Sequence, residues 1–398
     1  MSLADEVSSI PAEASPKRLL EWLLAECVRL DASDLHMAPD LAPYFRVHGI
    51  LAPQPDSDAV SAGMMERVAA ELSHEYDQTP LKSQGSLDGA CTATDGTRFR
   101  FNIFRRQNKL SIALRRLEDR FRSLADLGLP ESLYDLCGLP DGLVVVSGPT
   151  GAGKSTTLAT MIDRINQSRQ SHIVTIEDPI EYLHVPAMSL VNQRQIGLDA
   201  GSFNDALVAS LRQDPDVILV GEIRELNTIR TAITAAETGH LVFTTVHAGD
   251  CVGTIERLVS VFPADEQPGI RRQLSLVLRC VISQHLLIAD GDRAQAERAD
   301  GVVTRRRRVV ASEVLMATGA VNNLIATGKA AQIYSAMESG GALGMQTQEE
   351  SLARLWAAGY LSETTAMGAA RNPGVVRDRY QRLNGWSSTG ARAMGGGR

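Results

Sequence analysis

The segment Leu143–Ser155, LVVVSGPTGAGKS, constrains this chain more than any other. Its apolar opening reads as a buried strand, and Gly148–Ser155 then spells G-x-x-x-x-G-K-S. After the loop, Leu158, Met161, Ile162 and Ile165 fall on one face of a helix. Strand, glycine-rich loop and helix in that order imply an α/β fold, because such a loop works where a strand delivers the chain to a helix N-terminus. The residue types have chemical reasons. The run Gly148-Pro149-Thr150-Gly151-Ala152-Gly153 lets the backbone curl until its N–H groups converge on phosphate oxygens. The helix start, Lys154-Ser155-Thr156, adds a partial positive charge, an ammonium for the β and γ oxygens and a hydroxyl for Mg²⁺. ATP with Mg²⁺ is the implied ligand.

The rest of this region follows the same grammar. Apolar runs at Ile173–Ile176, Val217–Val220 and Leu241–Thr245 alternate with helical segments, which predicts a mainly parallel sheet covered on both faces. Ligands in such sheets bind at the carboxyl ends of strands, and three polar sets sit there. Glu177, Asp178 and Glu181 follow the first run, and Glu222 follows the second. His240 and His247 bracket the third. Glu222 is placed to orient or deprotonate an attacking water. The position before it is Gly221 rather than an aspartate, so Mg²⁺ relies on Ser155, water and carboxylates such as Glu222 and Glu177. His247 is placed to sense a γ-phosphate. Taken singly, each carboxylate also fits an ordinary solvated strand end, and each histidine a structural role.

Other parts of the chain bound the reading. The 398 residues allow two or three domains, and 44 % apolar with 22 % charged residues is the balance of a globular protein. A net charge of −7 argues against broad nucleic-acid or anionic-membrane binding. No apolar stretch reaches membrane-spanning length, and the first residues lack the pattern of a signal peptide. Five scattered cysteines form no C-x-x-C pair, which excludes a four-cysteine zinc site and fits a reduced, cytoplasmic setting.

Residues 1–16 read as a flexible N-terminus, with Ser15-Pro16 starting a helix. Residues 17–117 read as a small α+β domain, with Phe99, Phe101 and Ile103 alternating against Arg98, Arg100 and Asn102. Residues 118–130 are expected to be a linker, 131–370 the nucleotide domain turning helical from about Ser312, and 371–398 a disordered tail. Arg98, Arg100, Arg105, Arg106, Arg115 and Arg116 are the cations that a first domain offers to a phosphate, although a solvated face explains most of them. Arg305–Arg308 reads as an exposed basic turn.

Together these texts resemble the type II/IV secretion ATPases, most closely the PilT-type ATPases of type IV pili and twitching motility. The landmarks are DASDLHMAPD (31–40), RFRFNIF (98–104), GPTGAGKSTT (148–157), TIEDPIEYLH (175–184), LRQDPDVILVGEIRE (211–225), ETGHLVFTTVHAGD (237–250) and SAMESGGALGMQT (335–347). The resemblance implies a PAS-like N-terminal domain, a RecA-like P-loop NTPase domain and C-terminal helices. It implies a homohexameric Mg²⁺-ATPase, peripheral to the inner membrane and partnered by a membrane platform protein; the acidic balance and the lack of an evident DNA-binding module argue against nucleic acid, and the lack of a long apolar stretch against direct membrane insertion. It carries Lys154, Ser155, Glu177, Glu222 and His247 onto the nucleotide site, with Arg100 and Arg115 supplied by the N-terminal domain. One motif departs: where retraction ATPases carry Ala-Ile-Arg-Asn-Leu-Ile-Arg-Glu, this chain reads Ala320-Val-Asn-Asn-Leu-Ile-Ala-Thr327. The apolar positions survive and the charged ones do not.

Overall fold

The computed structural model describes residues 15–47, 50–54, 57–117, 121–293 and 308–392, with side chains as far as residue 385. Most of the expected flexible N-terminus, part of the linker, Arg305–Arg307 and the last six residues lie outside the described residues. The chain forms two compact units. One contains residues 1–120, 176–185 and 193–206; the other contains 121–175, 186–192 and 207–398.

In the first unit, α1 (Pro16–Arg29) begins as the sequence predicts, with Ser15 Oγ accepting from the Arg18 N–H and Pro16 in the first turn. It is followed by β1 (Ala32–Met37), β2 (Tyr44–Val47), β3 (Ile50–Pro53), α2 (Ala62–Ser73), α3 (Thr79–Ser83), β4 (Ser86–Thr92), β5 (Arg98–Arg106) and β6 (Lys109–Arg116). The six strands form one antiparallel sheet in the order β3-β2-β1-β6-β5-β4. Phe99, Phe101 and Ile103 are buried with Leu23, Leu35, Met65 and Val68, so the period-two alternation of β5 is what closes the core against α1 and α2.

The second unit starts before the expected nucleotide domain. Leu124 and Leu129, inside the segment expected to be linker, are buried in its core. The Leu124 N–H donates to the Tyr134 hydroxyl at 3.0 Å. A 3₁₀ turn at Glu131–Gly138 leads to β7 (Gly142–Ser147) and α4 (Lys154–Ser168). Next in chain order come β8 (His172–Glu177), β9 (Leu190–Gln195) and α5 (Phe203–Ser210), parts of which fall in the first unit, then β10 (Val217–Val220), α6 (Leu226–Glu237), β11 (Leu241–Val246), α7 (Cys251–Ser260), α8 (Gln267–Val277), β12 (Leu278–Ile288) and β13 (Arg308–Met316). The sheet order is β13-β12-β7-β11-β10-β8-β9. β12, β7, β11 and β10 run parallel, as the buried apolar runs predict, and β13 pairs antiparallel with β12.

Two expectations need correction. The chain does not turn helical at Ser312: Arg308–Met316 pairs along its length with β12, and its alternating Val310, Ser312, Val314 register makes it a strand. Arg308 is exposed, but as a strand residue rather than part of a turn. Helices follow at α9 (Gly319–Ala326), α10 (Ile333–Ser339), α11 (Gln348–Ala357), α12 (Glu363–Ala369) and α13 (Pro373–Arg392). The last of these occupies most of the stretch expected to be disordered. Val376 is buried with Leu352, Leu361 and Ala366, and the Tyr380 ring stacks on Trp356 at 3.5 Å between centroids. A weakly apolar sequence becomes ordered here because one face has a core to join.

All five cysteines are free. Burial pushes the thiols of Cys27, Cys91 and Cys137 up to about 12 and raises those of Cys251 and Cys280 as well. The thiolate is the reactive form. Titration with an aromatic disulfide reagent at pH 8 is therefore expected to find no fast thiol in the folded protein, and all five after denaturation in guanidinium.

Candidate functional site

The site in the second unit is built on register. Ser147, last in β7, lies beside Val246, last in β11, and Val220, last in β10, lies beside Thr244. Three adjacent parallel strands therefore end within about two residues of one another and send the phosphate loop, His247 and Glu222 out from one edge of the sheet. The strand carrying His247 lies between the other two. The Ile223 N–H donates to Thr245 O and the Thr245 hydroxyl donates to Gly221 O, which fixes the turn that presents Glu222.

The phosphate loop has the backbone its glycines predict. Gly148, Gly151 and Gly153 have φ of +146°, +78° and +90°, and Gly153 is the left-handed N-cap of α4. At Gly148 there is a second reason for glycine: an added Cβ would lie 2.4 Å from Gln284 O on β12. Lys154 is buried, and its Nζ donates to Gly148 O at 2.9 Å and Pro149 O at 3.0 Å. The loop thus holds the ammonium with its own carbonyls, which a phosphate can replace. Ser155 is exposed in the first turn of α4, and Thr156 beside it is half-buried.

Lys154, Glu222 and His247 come together. His247 Nε2 is 3.5 Å from Glu222 Oε2, and Arg224 lies 2.7 Å from the same oxygen. Burial holds the His247 ring below its ordinary value of 6.5, the Lys154 and Arg224 charges push it the same way, and Glu222 opposes them. The ring is neutral near pH 7 and presents one donor and one acceptor. Stability gained from a neutral His247 is present above the unfolded value and is lost as pH falls below it.

The other predicted residues belong to the first unit. Arg100 donates to Glu181 at 2.8 Å and Arg115 to Asp34 at 2.9 Å. Glu177, at the end of β8, accepts from Gln193 at 3.2 Å. Gln193 also donates to Tyr182 O and accepts from the His184 N–H, so it braces the acidic turn. Gln195 donates to the Tyr76 hydroxyl and accepts from Arg98, which fastens the same segment to the antiparallel sheet. The remaining arginines serve structure or solvent; Arg116, for example, pairs with Asp31. His240 is structural, its Nδ1 lying 2.9 Å from Ala235 O at the end of α6.

No group of three or more His, Cys, Asp or Glu among the described residues forms a metal cage. The donors on offer, one exposed hydroxyl and a few carboxylates, suit an ion that keeps its waters and is held mainly through phosphates, which is how Mg²⁺ binds. Sequence reasoning missed Arg224 and Gln284. Arg224 sits two residues from Glu222 and was open to inspection as a charge partner; Gln284 acts through its backbone from a distant strand and leaves no local signal.

The family described as "Type II/IV secretion system protein" matches residues 12–356. The type IV pilus retraction ATPase PilT of Pseudomonas aeruginosa is 41% identical over 355 residues, 88% of this chain and 98% of its own length. A twitching motility protein of Neisseria gonorrhoeae is 40% identical over 330 residues, 83% of this chain and 84% of its own. The crystal structure of the pilus retraction motor PilT with bound ADP superposes with a TM-score of 0.80 at 38% identity, covering 90% of this chain and 99% of that one.

Two outcomes follow from the geometry. Gly148→Ala forces an L-residue into glycine backbone and against Gln284 O, and strain of about 1–3 kcal/mol weakens ATP binding by roughly 5- to 150-fold, measurable by calorimetry. In histidine-labelled protein, with His247→Gln for assignment, the His247 ring is expected to titrate below the ordinary range by NMR and to move up in Lys154→Ala.

Proposed function

The chain belongs to the type II/IV secretion system protein family, and we propose that it is the hexameric Mg²⁺-ATPase motor that retracts or remodels a type IV pilus from the cytoplasmic face of the inner membrane. It is a P-loop ATPase with a RecA-like nucleotide fold. The observation that carries the proposal is the convergence of Lys154, Glu222 and His247 at three adjacent strand ends. The likeness to retraction ATPases over most of the chain supports the pilus assignment.

The chemistry is phosphoryl transfer to water, in which the protein positions groups and stabilises charge. The loop N–H groups and the α4 N-terminus hold the phosphates, and Lys154 exchanges its two carbonyl partners for phosphate oxygens. Glu222 orients the attacking water and takes its proton; for this it must leave Arg224, which is mostly exposed and free to turn away. Neutral His247 donates to the γ-phosphate and reports its loss to Glu222. Ser155 would hold Mg²⁺, with Glu222 and Glu177 as further carboxylates for it, and the ion would supply charge neutralisation for the phosphates. Arg100 and Arg115 are the late positive charges, and each must first release the carboxylate that it now holds.

The α9 sequence favours a second reading, an ATPase of a related secretion or pilus-like system. Val321 and Ile325 are buried, so the helix packs, while Asn322, Ala326 and Thr327 stand where retraction ATPases carry charge. Deleting the gene separates the two: surplus surface pili without twitching supports retraction, and lost pili or blocked secretion supports the other.

Glu222→Gln is expected to lower kcat by about 10²- to 10⁴-fold with little change in KM for ATP, read by phosphate release. Rates for the wild type as low as those of this variant would reject the motor in favour of a nucleotide-binding regulatory ring.

A further inference from the structure

Arg371, in the segment after Ala370, pairs with carboxylates far from it in sequence. Arg371 donates to Glu313 Oε1 at 2.6 Å, and its other terminal nitrogen lies 3.5 Å from Asp250 Oδ2. Glu313, on β13, is 3% exposed. Its second oxygen accepts from the Cys251 N–H at 2.9 Å, the first backbone donor of α7. Asp250 is the N-cap of that helix and accepts from the Gly253 N–H. One guanidinium and two carboxylates therefore hold the start of α7.

That helix start is shared by both halves of the nucleotide site. Asp250 stands three residues after His247, and the loop between them is pinned where His285 Nε2 lies 2.9 Å from Gly249 O. Thr254, in the first turn, donates to Ser147 Oγ at 2.8 Å, and Ser147 is the residue before Gly148. A shift of the α7 N-terminus moves His247 and the root of the phosphate loop together. Glu313 is itself gripped from behind. Gln346, in the 335–347 motif, donates to Ser312 O, and its backbone pairs with Val314 on the other side of Glu313.

We propose that Arg371 is a positioning residue for ATP hydrolysis, acting with Glu313 to hold the α7 N-terminus so that His247 stays aligned with Glu222 and Lys154. The proposal rests on the ATPase reading above and adds a residue of the C-terminal helical region to its machinery. Arg371 does not touch nucleotide; it acts through Asp250 and Glu313. Its removal leaves Glu313 buried beside Asp250 and Glu349 with the Cys251 N–H as the opposing partner. Burial already pushes the Glu313 carboxyl up, and the Arg371 charge works against that. Without Arg371 the carboxyl takes a proton more readily, and the repulsion with Asp250 returns as pH rises and Glu313 ionises.

The test uses the full chain in its native oligomer, with Arg371→Met, Arg371→Lys and the double variant Glu313→Gln/Arg371→Met. Misplacing an aligned group by an ångström costs up to about 10²-fold, so kcat of Arg371→Met is expected to fall by about tenfold or more while KM for ATP changes less than about threefold. The deficit should deepen from pH 6 to pH 9, lose that slope in the double variant, and be partly recovered by Arg371→Lys. Hydrogen exchange of the amides 247–254 should speed up in Arg371→Met and stay unchanged in Glu222→Gln. Unchanged exchange, or a kcat deficit with the same size at every pH and no recovery by lysine, overturns the proposal. Should Arg371→Met fail to fold, the double variant, which has no uncompensated buried charge, takes its place: a kcat and exchange equal to wild type then overturn it. If the wild type hydrolyses no faster than Glu222→Gln, the motor reading fails, and the exchange measurement still decides whether Arg371 positions the loop.

Discussion

The parallel ladder joining β7, β11 and β10 is the interaction on which the site depends. Hydrogen bonds in a parallel pair fix neighbouring strands residue by residue, so the offset between their ends is fixed as well. Ser147 beside Val246, and Val220 beside Thr244, are the result. A slip of one residue between β10 and β11 would turn alternate side chains to the other face and carry His247 past Glu222. The apolar filling of these strands, with Val144, Val146, Leu219, Leu241 and Phe243 in one core, makes such a slip costly.

The polar groups at the strand ends are held by one another. Lys154 is satisfied by loop carbonyls and Glu222 by Arg224 and His247. Each pairing has an exposed or half-exposed member that is able to exchange partners. Polar bonds made by such groups are traded rather than created, which keeps the net gain per contact modest and leaves differential stabilisation to the moment of transfer.

How far these features could be read in advance depends on how local their causes are. The phosphate loop was legible because strand, glycines and lysine lie within thirteen residues, and its φ values follow from sterics alone. The β5 alternation and the Ser15 cap were legible for the same reason. The β13 strand was not: its residues suit helix or strand, and only pairing with β12 decides between them. The α13 helix was misread because order there comes from Val376 and Tyr380 meeting a core assembled from α11 and α12. The grip of Arg371 on Glu313 spans 58 residues of sequence, and no local pattern announces it.

The bracing of the acidic turn carries a mechanical consequence. One amide of Gln193 holds both Glu177 and Tyr182 O, and Gln195 holds Tyr76 and Arg98. A turn pinned once can pivot about its pin, whereas a turn pinned at several points can only bend between them. In the language of machines, the Glu177 carboxylate rides on a clamped beam rather than a hinge, and its travel is set by the stiffness of the clamps.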